Sequence, residues 1–143
     1  MKFSTRVRYG LRAMVELAIS EGDRPVPLAQ LAQKQNLSIK YLENLFHQLR
    51  EHRLVLSSRG PHGGYRLARP AGEITVLEVA QALDGHLQLV ECVGNSRFCD
   101  QVAHCLTYPL WAELSKVLEE RMSQISLEML ARNDLSIPEA LHE

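Results

Sequence analysis

The sequence predicts a mainly α fold: a winged helix-turn-helix DNA-binding domain with a two-stranded wing, followed by a long C-terminal helix for dimerisation. Three observations predict it. Two short amphipathic stretches meet at a turn of about three or four residues, which is the helix-turn-helix arrangement. A glycine-containing hairpin with a basic tip follows them. The net charge of −1 also hides a division along the chain. Residues 1–70 carry 12 Lys and Arg against 5 Asp and Glu, a net of +7, which leaves 4 against 12, or −8, for residues 71–143. A phosphate backbone is the usual partner of so basic a half, and the acidic half cannot share that face.

The elements follow in order. Between 5 and about 20, Val7, Leu11, Met14, Val15 and Ala18 recur at helical spacing, with Arg6, Arg8 and Arg12 placed on the other face. Gly22-Asp23-Arg24-Pro25 breaks the chain, and a second short helix spans 28–35 with Leu28, Leu31 and Ala32 inward. Asn36-Leu37 makes the turn. Ser38 then caps a third helix to about 52, which buries Leu42, Leu45, Phe46 and Leu49. Residues 54–56 and 64–67 are β-prone and flank Pro61, Gly63 and Gly64, so they form the wing, with Arg59, His62, Arg66 and Arg69 making it basic. Thr75 and Glu78 fit a capping box that opens a fourth helix, and Asp84-Gly85 ends it. Thr107 and Pro109 start a long amphipathic helix carrying Leu110, Leu114, Val117, Leu118, Arg121, Met122 and Ile125. Ser126 caps a last short helix over 127–131.

The chain of 143 residues thus divides into a DNA-binding domain (1–85), a cysteine-bearing loop (86–108), and a dimerisation helix with its tail (109–143). One domain is the size expected of such a length. With 45% hydrophobic and 23% charged residues, it is neither a disordered nor a disulfide-scaffold chain. No run approaches a membrane span and the N-terminus lacks a signal-peptide stretch, so the cytoplasm is the expected location.

Two constellations carry chemistry. A helix fits the major groove with its N-terminal residues facing base edges, so Ser38, Ile39, Lys40, Tyr41, Glu43 and Asn44 are the candidates to touch DNA. Arg59 at the wing tip suits a narrow minor groove, with Gly60 and His62 beside it. The plainer alternative, a packing unit with solvated arginines, leaves unexplained why helix, wing and positive charge share one segment. The second constellation is Cys92, Cys99 and Cys105, separated by six and five residues. An odd set of three suits a metal or a reactive thiol better than a disulfide framework. Spacing this wide suits zinc poorly and suits a cluster wrapped by its thiolates better. Three unligated thiols on a loop are the alternative. An enzyme using one cysteine as nucleophile lacks a well-placed base and orienter, and would not account for the wing.

Arg8-Tyr9, Pro25-Val26-Pro27-Leu28-Ala29, Tyr41-Leu42-Glu43, Arg59-Gly60-Pro61 with Gly63-Gly64-Tyr65, and Cys105-Leu106-Thr107 with Leu110-Trp111 together resemble the IscR-like iron-sulfur cluster regulators. The resemblance runs to about Asn133 and takes in winged-helix relatives that include nitric-oxide-sensing and cysteine-metabolism repressors. It implies a homodimeric transcription regulator, with no enzymatic activity and no small-molecule substrate. It also implies a 2Fe-2S cluster in the cysteine loop and palindromic promoter sites as double-stranded DNA partners. Glu43 is then involved in choosing between promoters. Lys40 stands where the family has a small hydroxyl residue, and Asn44 replaces a longer amide. One extra residue separates the first two cysteines, and Tyr108 occupies the position of the family's ligand histidine. The fourth ligand is open between Tyr108, His104, Asp100, Glu91 and a group from the dimer partner. Trp111 reads as a core or dimer contact. A regulator without a cluster, sensing through thiols or a protein partner, is the alternative function.

Overall fold

The computed structural model describes residues 2–20, 24–95 and 97–135. The break at Gly22-Asp23 and the tail beyond 135 lie outside them. Helix α1 (Thr5–Ile19) starts where the Ser4 hydroxyl accepts the Val7 N–H at 3.2 Å. Helix α2 (Leu28–Gln35) ends at Asn36, whose left-handed backbone (φ 53°) turns the chain toward α3 (Ile39–Glu51). Ser38 caps α3 by accepting the Tyr41 N–H at 3.1 Å. The face of α3 at 42, 45, 46 and 49 is fully buried, as its spacing predicts. Each such side chain removed from water contributes about 1.5–3 kcal/mol before entropy is counted.

Strands β1 (Val55–Ser58) and β2 (Gly64–Leu67) pair antiparallel, Val55 opposite Leu67 and Ser58 opposite Gly64. Residue 26 extends this wing toward the body: the Val26 N–H donates to the Tyr65 carbonyl at 2.8 Å, and the Val26 carbonyl accepts the Tyr65 N–H at 2.9 Å. A Cβ on Gly64 would stand 2.3 Å from the Val26 carbonyl oxygen, so only glycine permits this approach. Helix α4 (Val76–Asp84) has the full capping box, with Thr75 Oγ1 accepting the Glu78 N–H at 3.2 Å and Glu78 Oε2 accepting the Thr75 N–H at 2.9 Å.

Helices α5 (Tyr108–Ser123) and α6 (Leu127–Ala131) return the chain to its start. Val76 N–H donates to the Ile125 carbonyl at 2.8 Å, and Leu127 N–H to the Ile74 carbonyl at 2.9 Å, which sets α6 on α1 with Ile74 and Leu127 fully buried. Two helix faces differ from the sequence pattern. On α1, Gly10, Ala13 and Leu17 join Val7, Met14 and Ala18 inside, while Leu11 and Val15 are only half-buried, because α1 is covered on several sides, by α2, α3, α4 and α6. On α5 the stripe splits: Met122 is buried with Leu118 and Ile125 against the core, whereas Leu110, Leu114 and Val117 remain 48%, 42% and 54% exposed. No described helix is long and apolar enough to cross a membrane.

Candidate nucleic-acid interface and cysteine loop

Helix α3 buries one face and therefore presents the other. Ser38, Ile39, Lys40, Glu43 and Asn44 are all exposed around its N-terminal end. Tyr41 departs from this set. Its ring meets that of Tyr9 edge-on, centroids 6.2 Å apart at 85°, and its hydroxyl is buried without a hydrogen-bond partner among the described residues. The phenol is thus turned under α3 rather than outward. At the wing, Arg59, Gly60, Pro61 and His62 are exposed on a turn closed by the Gly63 N–H donating to the Gly60 carbonyl at 2.9 Å. Gly60 adopts φ 103°, a conformation that favours glycine.

Two basic residues of α1, on the face opposite its apolar stripe, reach the helix-turn-helix. Arg6 donates to the Gln48 side chain on α3. Arg12 Nε donates to Gln35 Oε1 on α2 at 2.9 Å, and its guanidinium lies 5.5 Å from the Tyr9 ring centroid. Glu16 pairs with Lys34 on α2. The spacing of Arg6, Tyr9, Arg12 and Glu16 is helical, so a second periodic stripe, polar rather than apolar, was the available signal.

Residues 86–95 and 97–107 form short turns and bends, including a 3-10 turn at Val102–His104. Their tie to α5 is the Leu89 N–H donating to Ser115 Oγ at 3.4 Å, which explains a buried serine on that helix. Cys92 and Cys99 are half-buried and Cys105 is exposed. Thr107 stands at the cap position of α5 but makes no side-chain capping bond; its hydroxyl sits 3.3 Å from Cys105 Sγ instead. That hydroxyl, with the backbone N–H groups of Thr107 and Tyr108, holds the Cys105 thiol below the usual thiol range. Tyr108 is half-buried as the first residue of α5, while His104, Asp100 and Glu91 are exposed. In donor chemistry three thiols suit an iron-sulfur cluster. Among the described residues no group of three His, Cys, Asp or Glu side chains is placed to hold a metal ion.

An outward-facing helix behind a tight turn, a basic β wing, and a body that fixes both define a winged-helix regulator. The chain belongs to the Rrf2 family, the iron-dependent transcriptional regulators, whose family model matches residues 3–133. It is 41% identical over 133 residues to the HTH-type transcriptional regulator IscR of Xenorhabdus nematophila, covering 93% of this chain and 80% of that one. Among solved structures it is similar to CymR, the global cysteine regulator of B. subtilis, with a TM-score of 0.77 and 35% identity over 93% of this chain and 98% of that one. It also matches IscR of T. potens, TM-score 0.74 and 33% identity, over 100% and 97%. These relatives are regulators and not enzymes; the chain is a transcription regulator of the IscR type.

Proposed function

We propose that the chain is a cytoplasmic homodimer that binds palindromic promoter sites and reports the state of a 2Fe-2S cluster held by its cysteine loop. The observation that carries the DNA reading is the outward set at the start of α3 beside the exposed basic wing. Ser38, Lys40, Glu43 and Asn44 face base edges in the major groove, and Arg59, with Gly60 and His62 shaping the tip, enters the minor groove. Tyr41, with its hydroxyl buried, supports α3 from beneath. Residues 1–85 are the DNA-binding part, 86–108 the sensing loop and 109–143 the dimerisation part. The exposed Leu110, Leu114 and Val117 of α5 give the second copy an apolar face.

Cys92, Cys99 and Cys105 are the cluster ligands in this reading, with Tyr108 as the fourth and His104 as the alternative. When bound, such a cluster supplies a one-electron change of charge and a state of occupancy that can be lost. Cys105 enters as a thiol already lowered by Thr107, and Tyr108 orients from the rigid end of α5. Closure of the loop, tied to α5 through Ser115, then alters the helix that spaces the two copies of α3. The exposed Cys105 thiol and the likeness to CymR favour a second reading, a thiol sensor without a cluster.

Iron and sulfide analysis of protein purified anaerobically, with its visible spectrum, separates the two. Colour with bound iron supports the cluster. A colourless, iron-free protein that still selects a DNA sequence supports the thiol sensor, and one that selects none removes both.

A further inference from the structure

We propose that Tyr9 and Arg12 on α1 are positioning residues for DNA recognition, fixing how α3 leaves the turn after α2 without themselves contacting base edges. The inference rests on the reading of α3 as the DNA-reading helix. Arg12 and Tyr9 brace the two sides of one turn from one rigid helix. Gln35, which accepts from Arg12 Nε at 2.9 Å, is the last residue of α2, immediately before the left-handed Asn36. Tyr41, which meets Tyr9 edge-on, stands in the first turn of α3. The intervening turn is therefore clamped at both ends.

Arg12 also holds the clamp together. Its guanidinium lies 5.5 Å from the Tyr9 ring centroid while Nε bonds Gln35, so a single planar group joins the aromatic contact to the polar one. An ammonium cannot do both with the same geometry. The unpartnered Tyr41 hydroxyl points the same way: burying it is unfavourable, so ring packing against α1 rather than a hydrogen bond fixes this side chain. Recognition of base edges depends on close alignment of a few side chains, whereas attraction to phosphates is long-ranged and tolerant. A loosened brace therefore costs specific binding and leaves non-specific binding in place.

The test uses the full chain and a duplex enriched from a randomised pool by the wild type, compared with a scrambled duplex over a series of salt concentrations. Arg12→Gln and Arg12→Lys alter an exposed side chain, and melting curves report whether the fold is kept. The ratio of specific to non-specific affinity should fall by about fivefold in both, the size of one modest hydrogen bond, while the salt slope stays that of wild type. Adding Gln35→Glu to Arg12→Lys restores a polar link across the same gap and should recover part of the ratio. If Arg12→Gln instead lowers the salt slope by about one and keeps the ratio, Arg12 is a phosphate contact and the brace is wrong. An unchanged ratio in both variants also overturns it. A wild-type chain that enriches no sequence overturns the reading of α3 itself, and the brace with it.

Discussion

The helical body and the cysteine loop are ordered by different means. The body from α1 to α4, closed by α6, is fixed by side chains that exclude water: Phe46, Met14, Leu31, Leu42, Leu45, Leu49, Ile74 and Leu127 are all fully buried. In the loop, Leu106 is 97% and Phe98 57% exposed, and the Leu89 N–H bond to Ser115 is among the contacts that link the turns to α5. A body ordered by burial holds α3 and the wing in one geometry whatever the loop contains. A loop with few buried groups can take two arrangements at small cost, and that is what a sensing segment needs.

The contrast can be tested by substitutions in the body, the wing, the capping box and the loop, each read by the quantity it should change. Phe46→Ala removes the largest fully buried side chain and should destabilise the fold by about 3–5 kcal/mol in denaturant melts; a loss below about 1 kcal/mol would show that burial at α3 does not order the body. Arg59→Ala should leave the melt alone and weaken DNA binding by on the order of 1–3 kcal/mol at fixed salt. Wild-type affinity in that variant would remove the wing from the interface.

Thr75→Ala breaks the capping box and should cost about 1 kcal/mol. Burial raises the Glu78 pKa, but the Thr75 N–H and Arg69 outweigh it, and the net shift is downward. Its contribution to stability is therefore complete above the ordinary glutamate range and disappears as the pH falls through the lowered value. Because the carboxylate is partly exposed, solvent screens much of it, and the acid-side loss should be small and absent in Glu78→Gln. An equal acid loss in Glu78→Gln would assign it to another group.

The loop should contribute little to stability. Cys92→Ala, Cys99→Ala and Cys105→Ala should each melt within about 0.5 kcal/mol of the metal-free wild type, since no cysteine belongs to the core. Each should nevertheless lose most bound iron after anaerobic purification. Full iron content in any one of them removes that cysteine from the ligand set. Tyr108→Phe sharpens the point: a phenolate ligand gives ferric iron a charge-transfer band that the variant must lose, and an identical spectrum sends the fourth position to His104 or the partner copy.

Local signals in the chain were sufficient for most of the elements. Ser38, Thr75 and Ser126 cap the helices they precede, and the run of 42, 45, 46 and 49 names the buried face of α3, because caps and helical periodicity act within a few residues. The family pattern was legible in the same way, in short contiguous motifs. What tertiary structure decided is where one surface meets another. Periodicity says that a face is distinct but not what covers it, so Arg6 and Arg12 turn onto the helix-turn-helix, the α5 stripe divides between core and surface, and the Tyr41 hydroxyl goes under α3. The three cysteines show the same division: their number and spacing are written in the sequence, while their exposure, half-buried at 92 and 99 and open at 105, is set by how the loop lies.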